Sequence, residues 1–382
     1  MDISSSRLRE NLELFSFPRL SGTTFEKQAF NLAKQKIEEL GLTPEVQNFK
    51  FSTFYSRIYP KISFPLVFWI FLTFYLNLNL SFLLMSLIVS FTIFFPFFLL
   101  TRKPEKIKLV KMLESQNLYV KLAADADLHP NEIYDIFFMA HLDSKGQRIT
   151  ARTRGISIFL LTISIISNTI ILILRGLLTS LYVLFTALGV FPLLILLTAV
   201  IILSTNTTNN KSKGVIDNAS GIACVLELLY AFAKKEGIQK NYNLWFVLTG
   251  AEESGTMGIR FFYKLIKDMN REKTIIHNFE SLGKSINIVV TKSTVDNHPN
   301  YYEFIEKKAE ENNYTIFVNP LSRGIHTDGI YLAQQEFSLF EYESSEVGKY
   351  MHSENDSLEN VDTDMLEELC DFIYKNIISY FS

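Results

Sequence analysis

Two stretches of this chain are almost free of charge. Residues 62–100 contain no Asp, Glu, Lys or Arg, and residues 156–203 contain only Arg175. Together these 87 residues carry 1 of the 77 formal charges. The other 295 carry 76, or 26 %, which is the density of an ordinary soluble domain. A continuous helix of ~39 residues would reach ~58 Å, against a bilayer hydrocarbon core of ~30 Å. Each stretch therefore reads as a hairpin of two spanning helices. The first turns near Asn77-Leu78-Asn79 and the second divides near Arg175-Gly176. Buried core helices account for apolar runs of roughly 10–14 residues, not for these. Neither run is a signal peptide, because 61 mostly polar residues precede the first.

The expected organisation is one catalytic domain built from residues 1–61, 101–155 and 204–382, interrupted by transmembrane hairpins at 62–100 and 156–203. Two hairpins return the chain to its starting side, so all three aqueous pieces share a compartment. Thirteen basic residues flank the membrane ends on that side, from Arg57 and Lys61 to Lys211 and Lys213, while the opposite turns hold only Arg175. The positive-inside rule then places the catalytic domain in the cytoplasm, with a luminal or extracytoplasmic location as the alternative. The four arms are nearly devoid of ionisable groups, which fits an anchor and disfavours a transporter.

Composition removes further classes. The formal net charge is −3, so the chain lacks the basic footprint of a nucleic-acid binder. Its two cysteines, Cys224 and Cys370, exclude a disulfide scaffold and a cysteine zinc module. Cys224 falls on an apolar helix face and reads as core.

In the aqueous pieces, residues 24–40, 218–235, 258–270, 300–312 and 363–381 repeat apolar positions at helical spacing. Between them, Ile133–Ala140, Asn243–Thr249, Ile286–Thr291 and Phe337–Tyr342 read as strands. Alternating strands and helices imply an α/β sheet with helices on both faces, whose ligands gather beyond the carboxyl ends of the strands.

The chemistry-bearing motifs fall at such places. His141 and Asp143 follow strand 133–140, two residues apart and on one side of an extended segment. The imidazole suits zinc, and the carboxylate can hold its other ring nitrogen or a neighbouring group. Asp217 lies in Gly214-Val215-Ile216-Asp217-Asn218-Ala219-Ser220-Gly221, just before a helix that Asn218 or Ser220 can cap. Strand 243–249 runs into Gly250-Ala251-Glu252-Glu253, where adjacent carboxylates call for a compensating cation or proton. Here Glu253 suits a metal and Glu252 suits proton transfer. Glu280 and His352 sit in polar segments beside later strands. Alone, these motifs also describe a surface histidine, a helix cap, an acidic turn and two polar loops. Their order, all with oxygen and nitrogen donors and no thiolate, points to a hydrolytic zinc pair, with manganese or cobalt as possible substitutes.

The series MAHLDS, GVIDNASGIACVLELL, FVLTGAEESGTMGIRFF, HNFESLG and MHSENDSLENVD resembles the di-zinc exopeptidase family of bacterial leucyl aminopeptidases, glutamate carboxypeptidase and glutaminyl cyclase. PRLSGTTFEKQAFNLAKQKIEELGL is similar to that family's N-terminal helix. The resemblance implies an α/β fold with a mixed central sheet flanked by helices and two metals bridged by an aspartate. By position, His141 and Glu280 would complete one metal site, and Glu253 and His352 the other. Asp217 would bridge, Glu252 would be the general base and Asp143 would support the site. Three departures stand out. Glu280 replaces the usual aspartate, and 76 residues separate His141 from Asp217 where soluble members have a short connection. Membrane-bound relatives such as the endoplasmic-reticulum metallopeptidases usually place this domain in the lumen, and a sequon-like Asn218-Ala219-Ser220 lies inside the site.

The expectation is a membrane-anchored zinc exopeptidase, an aminopeptidase hydrolysing peptides with a metal-bridging hydroxide and Glu252 as base. The alternatives are single-zinc acyl transfer of the glutaminyl-cyclase kind, or a non-catalytic receptor or scaffold on the same fold. His326 or Arg323 could touch substrate, whereas His129 and His298, each before a proline, read as solvated. Oligomeric state and side-chain specificity stay open.

Overall fold

A computed structural model describes residues 3–124, 133–234, 241–319 and 326–381. His129 and Arg323 lie outside them. The chain divides into two compact units, one of residues 1–51, 113–146 and 209–382, the other of 52–112 and 147–208.

The first unit begins with α1 (Ser5–Leu14) and α2 (Thr24–Glu38). The Thr23 hydroxyl accepts from Glu26 N, while the Glu26 carboxylate reaches back to Gly22 N, a capping-box arrangement one residue displaced. The strands among the described residues are β1 (Glu45–Ser52), β2 (Met112–Leu122), β3 (Tyr134–His141), the two-residue β4 (Gly146–Gln147) and β5 (Thr208–Asn209), β6 (Tyr242–Thr249), β7 (Thr274–Phe279), β8 (Asn287–Thr291), β9 (Thr315–Asn319) and β10 (Ser338–Glu343). Eight of them form one sheet in the order β1-β2-β6-β3-β7-β10-β8-β9.

The run β6-β3-β7-β10 is parallel throughout, with His141 opposite Thr249 across β3 and β6. Antiparallel pairing of β2 with β6 and of β8 with β10 makes the sheet mixed. Because the four central strands share a direction, their carboxyl ends lie on one edge. His141 ends β3, and Glu252, Glu280 and His352 follow the ends of β6, β7 and β10.

The helices of this unit continue with α7 (Ser220–Lys234), α8 (Met257–Ile266), α9 (Lys292–Asn297), α10 (Pro299–Glu311), α11 (Asp328–Ala333) and α12 (Thr363–Phe381). α7 and α12 join α1, α2 and one sheet face in the larger core, while α8 and α11 cover the other face through Phe262, Ile259 and Leu332. Cys224 and Cys370 are free and fully buried in the larger core.

Two readings change here. Segment 277–283, a polar loop by composition, opens as the end of β7, a strand buried from Thr274 to Phe279. The polar side chains are satisfied inside the sheet: His277 Nδ1 lies 2.8 Å from the Tyr342 hydroxyl, and Asn278 donates to Glu341. Burial drives His277 down to about 3, so it is neutral in the core. His298 is also buried, with Nε2 3.3 Å from the Arg271 carbonyl, because its proline starts α10 rather than an open loop.

The second unit contains α3 (Tyr59–Leu76), α4 (Leu80–Thr101), α5 (Ala151–Leu177) and α6 (Tyr182–Ser204). Asn77, at φ +50°, ends α3, and the Asn79 side chain caps α4. The usual polarity of a soluble protein is inverted. Val183, Phe191 and Leu80 are 69–81 % exposed, whereas Ser157, Ser164, Asn168 and Arg175 form the buried stripe of α5. Small and polar residues inside, with large apolar ones outside, are what helix packing in an apolar solvent selects. Among the described residues, five helical segments are long and apolar enough to cross a membrane. The fifth, Val215–Lys234, is 94 % buried and lies in the core of the first unit.

Arg175, the single charge of these stretches, is buried. It donates to the Phe74 and Tyr75 carbonyls at 2.7 Å each, satisfying the C-terminal end of α3. Its guanidinium also lies 5.3 Å over the Tyr182 ring. Arg175→Leu leaves both carbonyls without these donors, at a cost of about 2–4 kcal/mol. The expected result is a lower thermal unfolding midpoint in detergent, with Arg175→Lys intermediate.

Candidate functional site

β3 delivers His141 at its last position, 1 % exposed. The Asp143 carbonyl lies 3.0 Å from Nδ1 and can only accept, so Nδ1 carries the proton and Nε2 is turned to the carboxylates. Nε2 lies 3.0 Å from Asp217 Oδ1 and 3.6 Å from Glu280 Oε1. On the other side, His352 Nε2 lies 3.3 Å from Asp217 Oδ2 and 3.1 Å from Glu253 Oε1. Asp217 thus offers one oxygen to each imidazole. Two triads of donor atoms result, His141–Asp217–Glu280 and Asp217–Glu253–His352, each within 4.8 Å.

Local sequence explains this placement. Gly214, at φ +59°, turns the chain into the Asp217 loop, and Asp356 Oδ1 accepts from Ile216 N at 2.6 Å. The Asn218 side chain accepts from Gly221 N and donates to Phe279 O, fastening α7 to the end of β7. A Cβ at Gly221 would meet Asn218 Oδ1 at 2.4 Å and Phe279 O at 2.8 Å, so only glycine fits this close approach. Glu280, anchored by its N–H to Tyr342 O at 2.9 Å, reaches His141 despite its longer arm.

Asp143, fully buried, faces the turn that carries Glu252 and Glu253. Its Oδ1 accepts from Glu252 N at 2.9 Å and its Oδ2 from Glu253 N at 3.1 Å, with Ser21 as a further donor. The carboxylate serves both uses its sequence position allows: it holds the neighbouring turn through two amides, and its Oδ1 lies 3.5 Å from His141 Nδ1, with the Asp143 carbonyl nearer at 3.0 Å. Ala251, Ser281 and His352 all have positive φ, at 53°, 57° and 64°. Such conformations cost of order 1–3 kcal/mol each in non-glycine residues and cluster where geometry is held for function.

The electrostatics are those of an anionic hole. Burial pushes Glu252 well above the usual carboxylate range, aided by Glu280, Glu253 and Asp328 and opposed by His141. Burial likewise raises Glu280 against the pull of His141. For Asp217, burial is outweighed by the two imidazoles, which hold it well below its ordinary value. Burial is outweighed at Glu253 too, by Lys145 and then His352, and the carboxyl falls to about 2. Burial opposes the charge on His141, yet Glu280, Asp143 and Asp217 overcome it and hold the imidazole well above its ordinary value.

Four carboxylates, at 217, 252, 253 and 280, thus meet two imidazoles in a buried space. Among the described residues, His352 Nδ1 has no hydrogen-bond partner. Mixed nitrogen and oxygen donors with this excess of negative charge fit divalent cations of the zinc, manganese or cobalt kind.

One further acid, Asp328, is not legible as part of the site from sequence. It is 2 % exposed, bonds the Thr249 hydroxyl through Oδ2, and leaves Oδ1 without a hydrogen bond to the described residues. Burial lifts it to about 7. In the same segment the sequence draws notice to His326, which is exposed. An acid in the first turn of α11, behind the Thr327 cap, reads simply as a helix-dipole partner.

The fold and site define an α/β protein with paired histidine–carboxylate clusters at the carboxyl ends of its parallel strands. Residues 199–377 match the model of Peptidase family M28, which bears out the resemblance carried by the motifs. Three solved structures share the fold. An aminopeptidase from Aneurinibacillus sp. strain AM-1 is 13 % identical, with a TM-score of 0.58 over 98 % of this chain and 93 % of that one. BSAP, a zinc aminopeptidase from Bacillus subtilis, is 12 % identical, with 0.56 over 99 % and 95 %. The glutaminyl cyclase of Tannerella forsythia is 14 % identical, with 0.55 over 98 % of both chains. Comparison with curated proteins gives no match.

Proposed function

We propose that this chain is a membrane-anchored, metal-dependent exopeptidase, and specifically an aminopeptidase. The observation that carries the reading is Asp217, whose two carboxylate oxygens each face one imidazole, with Glu280 and Glu253 completing the two triads. His141, Asp217 and Glu280 would hold one zinc ion, and Asp217, Glu253 and His352 a second. When bound, the ions supply Lewis acidity that polarises the scissile carbonyl and acidifies the attacking water. Glu252, buried beside the two triads, would accept one from that water and return it to the leaving amine. Asp143 keeps Glu252 and Glu253 in register through their amides.

α3, α4, α5 and α6 serve as the anchor, a reading supported by their exposed apolar faces. The flanking basic residues favour a cytoplasmic catalytic side.

A glutaminyl-cyclase-like reading draws on the fold shared with the Tannerella forsythia enzyme. Metal count and substrate separate the two. Chelation should abolish cleavage of aminoacyl reporter peptides, zinc should restore it, and N-blocked peptides should resist. Turnover unchanged by chelation would overturn the metal-dependent reading, and cyclisation of N-terminal glutamine on one zinc would favour the alternative.

A further inference from the structure

The two triads are not electrically equivalent. Four residues past His141, Lys145 turns inward, and its ammonium pairs with Glu253 Oε2. Both side chains are buried, 10 % and 5 % exposed, and Lys145 Nζ also lies 3.4 Å from the Glu253 carbonyl. Glu253 is therefore divided: one oxygen faces Lys145 and the other faces His352 Nε2 at 3.1 Å.

Glu280, its counterpart in the other triad, has different company. Its carboxylate faces His141 Nε2 and the Ser281 hydroxyl, and beyond the ligands Asp217 and Glu253 the acids acting on it include Glu252, Asp328, Glu341 and Glu343. A fixed ammonium thus stands against the Asp217–Glu253–His352 triad, while additional carboxylates stand around His141–Asp217–Glu280. In a poorly solvated site, a unit charge a few ångströms from a divalent ion shifts its binding by a large factor.

We propose that Lys145 makes the two metal positions unequal. Its charge on Glu253 opposes a divalent ion at Asp217–Glu253–His352, so His141–Asp217–Glu280 fills first and the second position fills only at higher metal concentration. Lys145 is a positioning residue with a second effect: it sets how much of the chain carries one ion and how much carries two. This inference rests on the metal reading above.

The test is calorimetric titration of the metal-stripped full-length protein in detergent with zinc, checked by elemental analysis. The wild-type chain should bind in two separated steps. His352→Ala should delete the weak step and His141→Ala the tight one. Lys145→Met should strengthen the weak step by about tenfold or more and leave the tight step within about threefold. Lys145→Gln should do the same, and Lys145→Arg, which keeps the charge, should preserve the separation; circular dichroism checks that each variant is folded. Two equal tight steps in the wild type, or a folded Lys145→Met whose weak step is unchanged or weaker, would overturn the proposal while leaving the metal reading intact. Absence of zinc binding to the wild type would overturn both.

Discussion

Glu252→Gln should lower peptide hydrolysis about a thousandfold and leave zinc content unchanged. The substitution keeps size and polarity but replaces the oxygen that accepts a proton with an amide N–H donor, and general acid–base groups contribute roughly 10²–10⁴-fold. Zinc should stay, because the donor atoms of both triads come from other residues. Glu252 sits in its turn through its own backbone N–H to Asp143, a bond the substitution does not touch. Loss of activity with loss of metal would instead mean that Glu252 holds the site together. Full activity would remove it from the chemistry.

Arg19→Met should produce the largest loss of stability. The side chain is fully buried, and its three nitrogens face five backbone carbonyls: Phe15, Phe17, Leu142, Lys213 and Gly214. Burial lowers it only to about 10, against the pull of Asp356, Asp143 and Asp217, so it is charged at neutral pH. Leu142 follows His141, and Gly214 begins the loop of Asp217. The segment around Arg19 clasps the two chain pieces between which the second hairpin is inserted, helped by Arg19 N to Ser144 Oγ and Leu20 N to Asn210 Oδ1, each at 2.9 Å.

Stranded buried acceptors cost about 1–3 kcal/mol each, so the loss should be on the order of 5 kcal/mol or more. Thermal unfolding in detergent should show a midpoint lowered by more than about 10 °C, or little folded protein. Arg19→Lys should rescue poorly, because one ammonium cannot span five carbonyls. A midpoint within about 2 °C of wild type would show that the clasp does not hold these loops together.

Arg19 also shows where sequence reading stops. PRLSGTTFEKQ is visible as a motif, yet an arginine ordinarily reads as solvated, and three of its partners lie more than 120 positions away. The same limit applies to Lys145, which counts among the flanking basic residues but is consumed by Glu253 inside the site. Arg175 is likewise consumed, by the end of α3.

What is legible is the periodic and the local. Strands β3, β6, β8 and β10 show as β-branched and aromatic runs, and the α7 and α12 helices as apolar repeats. Charge-free runs reveal α3 to α6. β7 stays hidden because His277 and Asn278 interrupt its apolar pattern, and the Tyr342 hydroxyl and Glu341 of β10, with the Tyr301 hydroxyl 3.5 Å from His277 Nε2, make them tolerable inside a sheet. The ordered candidates from His141 to His352 can be named from sequence, and the family resemblance already casts Asp217 as the bridge; tertiary placement adds the geometry, with one Asp217 oxygen facing each imidazole.

The most direct test of a two-position metal centre is anomalous diffraction at the zinc edge from crystals soaked in excess zinc. Expected are two peaks, one within coordination distance of His141, Asp217 and Glu280 and one of Asp217, Glu253 and His352. Zinc found only elsewhere, or no zinc at Asp217, would contradict it.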